Sequence, residues 1–409
     1  MHILFLTDNF PPEVNAPASR TYEHCREWVA EGHQVTVLTC APNFPAGKVF
    51  EGYENRVLPV REELDGISIL RVWTYISANS GFLRRTLDYV SYMISAILFA
   101  PSARNVDVVV GTSPQFFTAW AAYIVAGYKR VPFIFELRDL WPESIRAVGA
   151  IKNRNVLWFL ERMELFLYKR AEIIVSVTHS FKANLVSRGI DENKIVVVTN
   201  GVDLNRFKPC VKDEEILDQL GATGQFVAGY IGTHGMAHAL ETLIEAGRLL
   251  QEWGERDILI LLLGDGARKA SLEQYAKDKK VTNVKFITSV PKEVVVRYWG
   301  ILDAAIIHLK NDPTFETVIP SKIFECMAMG LPVLHGVNGE SAQIVTENKI
   351  GIVIEPENAI QLAKGIVKLR SDRAFINACK KNAPQAAKKF DRKTMARKML
   401  SELKKIVNR

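Results

Sequence analysis

Apolar residues recur along this chain in two rhythms, and their alternation predicts the architecture. Short runs rich in Val, Ile, Leu and Phe stand at His2–Asp8, Gln34–Thr39, Ile67–Val72, Val106–Gly111, Phe133–Leu137, Ile173–Val177 and Ile195–Thr199. A second set follows at Phe226–Gly232, Ile258–Gly264, Val284–Ile287, Ala304–Leu309, Pro332–Gly336 and Gly351–Ile354. Between them lie longer stretches with the spacing of helices that bury one face. The run Ile258-Leu259-Ile260-Leu261-Leu262-Leu263 has no polar face to give to water, so it predicts a strand buried on both sides in a parallel sheet. The predicted class is α/β, with doubly wound, Rossmann-like domains.

So many strands exceed what one open sheet usually holds, and the alternation breaks at Asp203–Glu215, where Pro209 and a charged stretch intervene. The expected domains are residues 1–205 and 206–385, with 386–409 a basic helix packing back on the first. Two such sheets place ligand sites at the carboxyl ends of their strands, in a crevice.

Composition narrows the class. With 48% hydrophobic and 24% charged residues the chain is neither disordered nor fibrous. A net charge of +7 suits anionic substrates, anionic lipid or nucleic acid without choosing among them. The 5 cysteines are scattered with no C-x-x-C pair, which argues against a disulfide framework or a zinc cluster and for a reducing cytosol. The opening Ile3-Leu4-Phe5-Leu6 meets polar Thr7-Asp8-Asn9 too soon for a signal-peptide core of about 7–15 residues, so export is not expected. The apolar stretch Tyr89–Ala103 is shorter than the roughly 20 residues needed to span a bilayer.

Several places carry candidate chemistry. Gly232-Thr233-His234-Gly235 ends one strand run and precedes a helical segment, an arrangement that either makes a tight turn or lets backbone approach a phosphate. Gly264-Asp265-Gly266 repeats it after the next strand. The densest cluster runs from Phe315 to Val333. There Pro320 and Ser321 predict a helix start, Gly330 a stop, and the N–H groups of Ile319–Lys322 an anion site to which Lys322 adds charge. Glu325, between Phe324 and Met327, is either a salt-bridged surface residue or an acceptor for two sugar hydroxyls. In the first half, Glu136-Leu137-Arg138-Asp139-Leu140-Trp141-Pro142 ends a buried strand with charges, as a local ion pair or as part of a site. Thr112-Ser113-Pro114 reads best as a helix cap.

The C-terminal half resembles the GT-B retaining glycosyltransferases of glycosyltransferase family four, whose hallmark is a Glu, seven residues and a second Glu before an A-x-G-x-P-V segment. Asn200-Gly201-Val202-Asp203 with Phe207 resembles that family's interdomain segment, and Ile3–Asp8 with Gly32-His33-Gln34-Val35 its first two strands. Asp8-Asn9-Phe10-Pro11-Pro12-Glu13 and Pro320-Ser321-Lys322-Ile323-Phe324-Glu325 are most similar to bacterial O-antigen, capsule and colanic acid enzymes, including N-acetylfucosamine transferases. The resemblance implies transfer of a sugar, an N-acetyl-6-deoxyhexose, from a UDP-linked donor to a polyprenyl-diphosphate-linked acceptor. It implies a cytoplasmic enzyme on the inner face of the cytoplasmic membrane, with no metal or other cofactor and no nucleic-acid partner.

Residue by residue, the resemblance gives Glu325 the nucleoside ribose and places Gly232, Thr233, Gly264, Gly266, Ile319, Pro320 and Ser321 around the nucleotide sugar. The first Glu of the motif is replaced by Thr317, with Glu316 one position out of register. The Arg and Lys that hold the diphosphate in the family are replaced by Thr233 and His238, so Lys322 or Arg138 is expected to supply the missing charge. Arg138, Asp139, His238, Glu316, Thr317 and Lys322 are the expected catalytic groups, and Asn15 and Arg20 the acceptor-binding ones. The segment 82–104, with Arg84 and Arg85 before its apolar stretch and Arg104 after it, is either an interfacial membrane segment or a buried core helix. A nucleotide-sugar 2-epimerase and a catalytically weak nucleotide-sugar-binding protein are the rival readings.

Overall fold

A computed structural model describes residues 1–44, 46–77, 82–143, 151, 153–291 and 293–408, with the side chains at 82 and 83 outside the description. The chain divides into two compact units, residues 1–200 together with the segment from Arg392, and residues 201–391. Residues 201–205, expected in the first domain, and 386–391, expected in the terminal helix, therefore belong to the second unit.

The first unit is built on a sheet with the order β3-β4-β2-β1-β5-β6-β7-β8. Its strands are β1 (His2–Leu6), β2 (Gln34–Cys40), β3 (Val60–Leu64), β4 (Ile67–Val72), β5 (Val108–Thr112), β6 (Phe133–Leu137), β7 (Ile173–Ser176) and β8 (Ile195–Val197). All neighbours are parallel except β3, which runs antiparallel to β4. The apolar runs did not reveal β3, because Val-Arg-Glu-Glu-Leu at a sheet edge leaves alternate residues to water. Its signal was the two-residue turn Asp65-Gly66, both with positive φ.

The second sheet has the order β11-β10-β9-β12-β13-β14, with β9 (Phe226–Ile231), β10 (Ile258–Leu263), β11 (Val284–Ile287), β12 (Ala304–His308), β13 (Val333–Gly336) and β14 (Gly351–Val353). Every pairing in it is parallel. Side chains of β10 alternate between two cores, Leu259, Leu261 and Leu263 on one face and Ile258, Ile260 and Leu262 on the other. The uninterrupted apolar run is thus buried on both sides.

The C-terminal segment is not one helix from 386. Helix Arg373–Ala387 ends, a 3₁₀ turn covers Lys388–Phe390, Asp391 is extended, and a new helix runs Arg392–Val407. That last helix packs Met395, Ala396, Met399, Leu400, Leu403 and Ile406 into the core of the first unit. Trp28 Nε1 donates to the Ala396 carbonyl at 2.9 Å, and Arg397 pairs with Glu27 and Glu31 at 2.6 and 3.0 Å. Its basic residues are in part committed to the helix Ala16–Ala30 beside it.

Candidate functional site

In the second unit the chain leaves β9 for β10 and β11, then returns to the other side of β9 for β12, β13 and β14. Connections at such a reversal diverge, which opens a crevice at the carboxyl ends of the two central strands. Gly232, just after β9, and His308, at the end of β12, stand there.

The turns after β9 and β10 touch through their backbones. A Cβ on Gly264, whose φ is +149°, would lie 1.9 Å from the Gly232 carbonyl oxygen, and one on Gly266 would lie 2.5 Å from that of His234. His234 N–H donates to the Asp265 carbonyl at 2.9 Å, and Gly232 N–H to that of Leu263 at 2.9 Å. These glycines are required first by close approach. Gly264→Ala is expected to cost at least about 1–3 kcal/mol, a fall of roughly 3–10 °C in thermal unfolding midpoint; an unchanged midpoint would refute the tight contact.

Lys322 faces this turn. Its Nζ lies 3.6 Å from the centroid of the Tyr230 ring, and a Cβ on Gly232 would stand 2.6 Å from it. The ammonium is buried and has no hydrogen-bond partner among the described residues. Burial pushes its pKa down to about 7, against the weaker pull of Cys326 and Glu325. Sequence reasoning missed Tyr230, whose ring is the platform under Lys322 and whose hydroxyl donates to the Thr233 carbonyl at 2.8 Å. Within an apolar strand nothing marked it as different from a core tyrosine.

Two imidazoles flank Tyr230, His238 at 5.8 Å and His234 at 6.2 Å between ring centroids. His238 Nδ1 and both ring nitrogens of His234 are buried without hydrogen-bond partners among the described residues. Burial, and then the positive charge of Lys322, takes the pKa of His238 down to about 3, while burial and Lys269 take His234 to about 4. Both rings are neutral at physiological pH. His308 Nε2 accepts the Glu357 N–H at 2.9 Å, so its Nδ1 carries the proton and donates to the His238 carbonyl at 2.8 Å. That bond fixes the main chain at His238. Thr233 is exposed on the turn.

The segment around Lys322 departs from expectation at its start. The helix is Lys322–Ala328, and Ser321 at its N-cap makes no side-chain capping bond. Ile323 and Phe324 N–H groups donate to the carbonyls of Pro320 and Ser321 at 3.0 and 3.1 Å, a tight first turn just beyond the Ile319–Lys322 donors expected to be open. Glu325 is half-buried on this turn, between buried Phe324 and Cys326. Gly330 follows the helix with φ +70°, as a helix stop does. Upstream, Thr317 Oγ1 donates to the Thr314 carbonyl at 2.8 Å and retains its lone pairs, Glu316 is exposed, and Ile319 is buried.

In the first unit the reversal lies between β1 and β5. Asn15 caps the helix Ala16–Ala30 by accepting the Ala18 N–H at 2.9 Å, and its amide also donates to Asn9. Arg20 is 4% exposed and spends its donors inside the unit, on Glu136 Oε1 at 3.0 Å, Asn200 Oδ1 at 2.7 Å and the carbonyls of Val198 and Thr199. Arg138 reaches the same Asn200 oxygen at 3.5 Å, and its Nη1 is buried without a partner among the described residues. Burial and the neighbouring Arg20 lower its pKa to about 9. Ser113 is no helix cap. Its Oγ accepts the N–H groups of Arg138 and Asp139 at 2.8 and 3.3 Å and so shapes that loop, whereas the helix Phe116–Lys129 has Gln115 at its N-cap without a capping bond.

In the helix Phe82–Phe99, Tyr92 and Ala96 are buried, while Leu87, Ile94 and Leu98 are exposed. No helix among the described residues is long and apolar enough to cross a membrane. A second exposed apolar face escaped the sequence reading. Helix Arg154–Arg170 exposes Val156, Trp158, Phe159 and Phe166, with Arg162 over the Trp158 ring and Arg170 over that of Phe166. It is joined to the Phe82–Phe99 helix through Phe116–Lys129, by Trp120 stacked on Phe166 at 5.6 Å and by Tyr128 donating to the Ile97 carbonyl.

Two family models match the chain, a glycosyl transferase 4-like domain over residues 15–201 and glycosyl transferases group 1 over residues 211–386. A protein of Escherichia coli K12 named as a colanic acid biosynthesis glycosyl transferase, WcaI, is 22% identical over 378 residues, 90% of this chain and 91% of its own. Among solved structures, sucrose-phosphate synthase from Thermosynechococcus elongatus superposes with a TM-score of 0.79 at 14% identity, covering 99% of this chain and 98% of its own. Anabaena HepE, solved in complex with UDP and glucose, gives 0.75 at 18% identity, over 98% and 99%. The fold is GT-B.

Proposed function

We propose that the chain, which matches a glycosyl transferase 4-like domain followed by a group 1 domain, is a glycosyltransferase that moves a sugar from a nucleotide diphosphate to a lipid-linked saccharide in bacterial surface polysaccharide assembly. The observation that carries the donor side is the buried Lys322 Nζ at the Gly232 turn, which has no hydrogen-bond partner among the described residues. A buried amine holds a positive charge stably only beside an anion, and the diphosphate of a nucleotide sugar is one.

In this reading Glu325 accepts hydrogen bonds from the ribose hydroxyls, Thr317 contacts the donor sugar through its hydroxyl, and His238 adds a neutral donor to the phosphates. The bond from the anomeric carbon to the diphosphate breaks, and one to the acceptor oxygen forms on the same face. The acceptor proton passes to the departing diphosphate, whose charge Lys322 stabilises. No metal or cofactor enters. The loop of Arg138 and Asp139, held by Ser113, takes the acceptor side together with Asn15, and Arg20 positions the loop through Glu136 and Asn200. A UDP-linked donor is supported by HepE, which binds UDP and glucose, and polysaccharide assembly by the name of WcaI.

The test is a panel of UDP- and GDP-sugars with a GlcNAc-diphospholipid acceptor, read by mass spectrometry. One UDP-sugar, an N-acetylated 6-deoxyhexose, is expected to add a single residue with retained configuration. No transfer from any UDP-sugar would reject the donor class, and an epimerised sugar formed from donor alone would reject transferase chemistry.

A lipid-linked acceptor requires the enzyme at a membrane surface, and the proposed contact is the Phe82–Phe99 helix widened by the aromatic face of Arg154–Arg170. Trp and Phe interleaved with Arg suit the boundary between headgroups and acyl chains. Sedimentation with vesicles is expected to show binding when they contain phosphatidylglycerol, weakened by salt, and little binding to pure phosphatidylcholine. Trp158→Ser with Phe159→Ser is expected to lower partitioning about 10-fold or more; unaltered partitioning would place the contact elsewhere.

A further inference from the structure

We propose that Lys322 takes up a proton from solvent as the diphosphate enters, so that donor binding by this enzyme is coupled to protonation of one buried amine. The inference rests on the reading of the second unit as the donor site. It goes beyond that reading by stating the form that Lys322 has before the donor arrives and the proton it gains when the donor binds.

The geometry sets the terms. Nζ is enclosed between the Tyr230 ring and the Gly232 backbone, with no acceptor among the described residues. The groups that face it are few. On its own helix stand Glu325 and Cys326. From β9 comes Tyr230, held neutral by burial. From the turn after β9 come His234 and His238, both neutral. Behind His234 lie Lys269 and Asp265, which form an ion pair at 3.2 Å, and behind His238 lies His308, whose own pKa is lowered by burial. None of these surrounds the amine with the fixed negative charge that would hold its proton, which agrees with a pKa near 7. Tyr230 gives only the face of its ring, a weak partner for a cation.

A diphosphate changes this balance. Its negative charge beside Nζ favours the ammonium over the amine, so the bound-state pKa rises above the unliganded value. Protons are then drawn from solvent onto Nζ wherever the pH lies between the two values. The sign follows. Affinity is at its full value below about pH 7 and falls as the pH rises through the bound-state pKa, by at most about 10-fold per pH unit. A permanent cation such as the family's Arg would show no such dependence. The neutral imidazole of His238, whose Nδ1 has no hydrogen-bond partner among the described residues, is the adjoining donor and not the group that titrates in this range.

The experiment is calorimetric titration of UDP, and separately of GDP, into the full chain at pH 8 in several buffers of different ionisation enthalpy. At that pH the terminal phosphate, with a second pKa of about 6, is already ionised and takes up little itself. The dependence of heat on buffer gives the number of protons bound. Wild type is expected to take up about 0.5–0.9 proton per nucleotide. Lys322→Met is expected to bind about 10–100-fold more weakly with uptake near zero, and Lys322→Arg to bind without uptake, because its guanidinium stays charged. His238→Gln is expected to keep the uptake. Binding by wild type with no proton taken up overturns the inference and leaves the donor site standing. Uptake that persists in Lys322→Met, or disappears in His238→Gln, overturns the assignment to Lys322. If neither nucleotide binds wild type, the donor reading falls and this inference with it. Wild type alone decides the first point, whatever the folding of the variants.

Discussion

Arg20→Met is expected to destabilise the first unit by about 3–5 kcal/mol, a loss that equilibrium urea unfolding reads directly. Arg20 and Glu136 are 4% and 1% exposed, and their ion pair is 3.0 Å long. The second oxygen of Glu136 has no hydrogen-bond partner among the described residues, so deleting the guanidinium strands a carboxylate in the core. The other donors of Arg20 tie the start of the Ala16–Ala30 helix to Val198, Thr199 and Asn200, where the chain leaves the first unit for the second. The double variant Arg20→Met, Glu136→Leu removes both charges and is expected to recover most of the loss, since an apolar pair of similar volume often replaces a buried ion pair without penalty. A double variant as unstable as the single one would show that the damage comes from lost packing at Asn200 and not from the stranded charge. Arg20 on this account positions the loops around it and does not itself meet an acceptor.

Glu325→Ala is expected to lower kcat/KM for transfer about 10²–10³-fold while leaving the fold intact. A carboxylate that accepts from two ribose hydroxyls makes two charge-assisted bonds of roughly 1.5–3 kcal/mol each, and part of that is recovered by water in the variant. The ribose is remote from the bond that breaks, so the interaction is made alike in ground and transition states and its loss falls mainly on KM. Glu325→Gln, which keeps one acceptor, is expected to lie between. Half-burial next to Phe324 and Cys326 makes Ala a tolerable replacement at this helical position, and circular dichroism checks that it is. Transfer within a few-fold of wild type in Glu325→Ala would remove the ribose from Glu325. A protein that binds nucleotide sugar without transferring it would show no rate to lose, so the same assay separates that reading from an enzyme.

Particular elements show what a linear reading reaches. The run Ile258–Leu263 could only be a strand covered on both faces, because six successive apolar side chains have no other economical burial, and it is paired in parallel on either side. β3 was hidden by the same logic in reverse: an edge strand needs one covered face, and Arg61, Glu62 and Glu63 leave little apolar signal. The break at Asp391 was invisible because helical spacing continues in composition on both sides of it, and contacts distant in sequence, the bond from Val202 N–H to the Phe390 carbonyl and the Phe390 ring against that of Phe324, show that this turn is claimed by the second unit. Ser113 looked like a cap since it precedes a helix, yet the strand beside it brings the Arg138 loop within reach of its hydroxyl.

The sequence by itself determined the α/β class and the two-domain plan, for these follow from the spacing of apolar residues and from glycines and prolines that act within a few positions of themselves. What only the tertiary structure decided is partnership. That Arg20 belongs to Glu136 and Asn200, that Gly264 is a glycine because of Gly232, and that Lys322 stands over the Tyr230 ring are matters of which strand lies beside which. The order of strands around β9 is set by the packing of whole helices on both faces of a sheet, a long-range choice that no local stretch of the chain encodes.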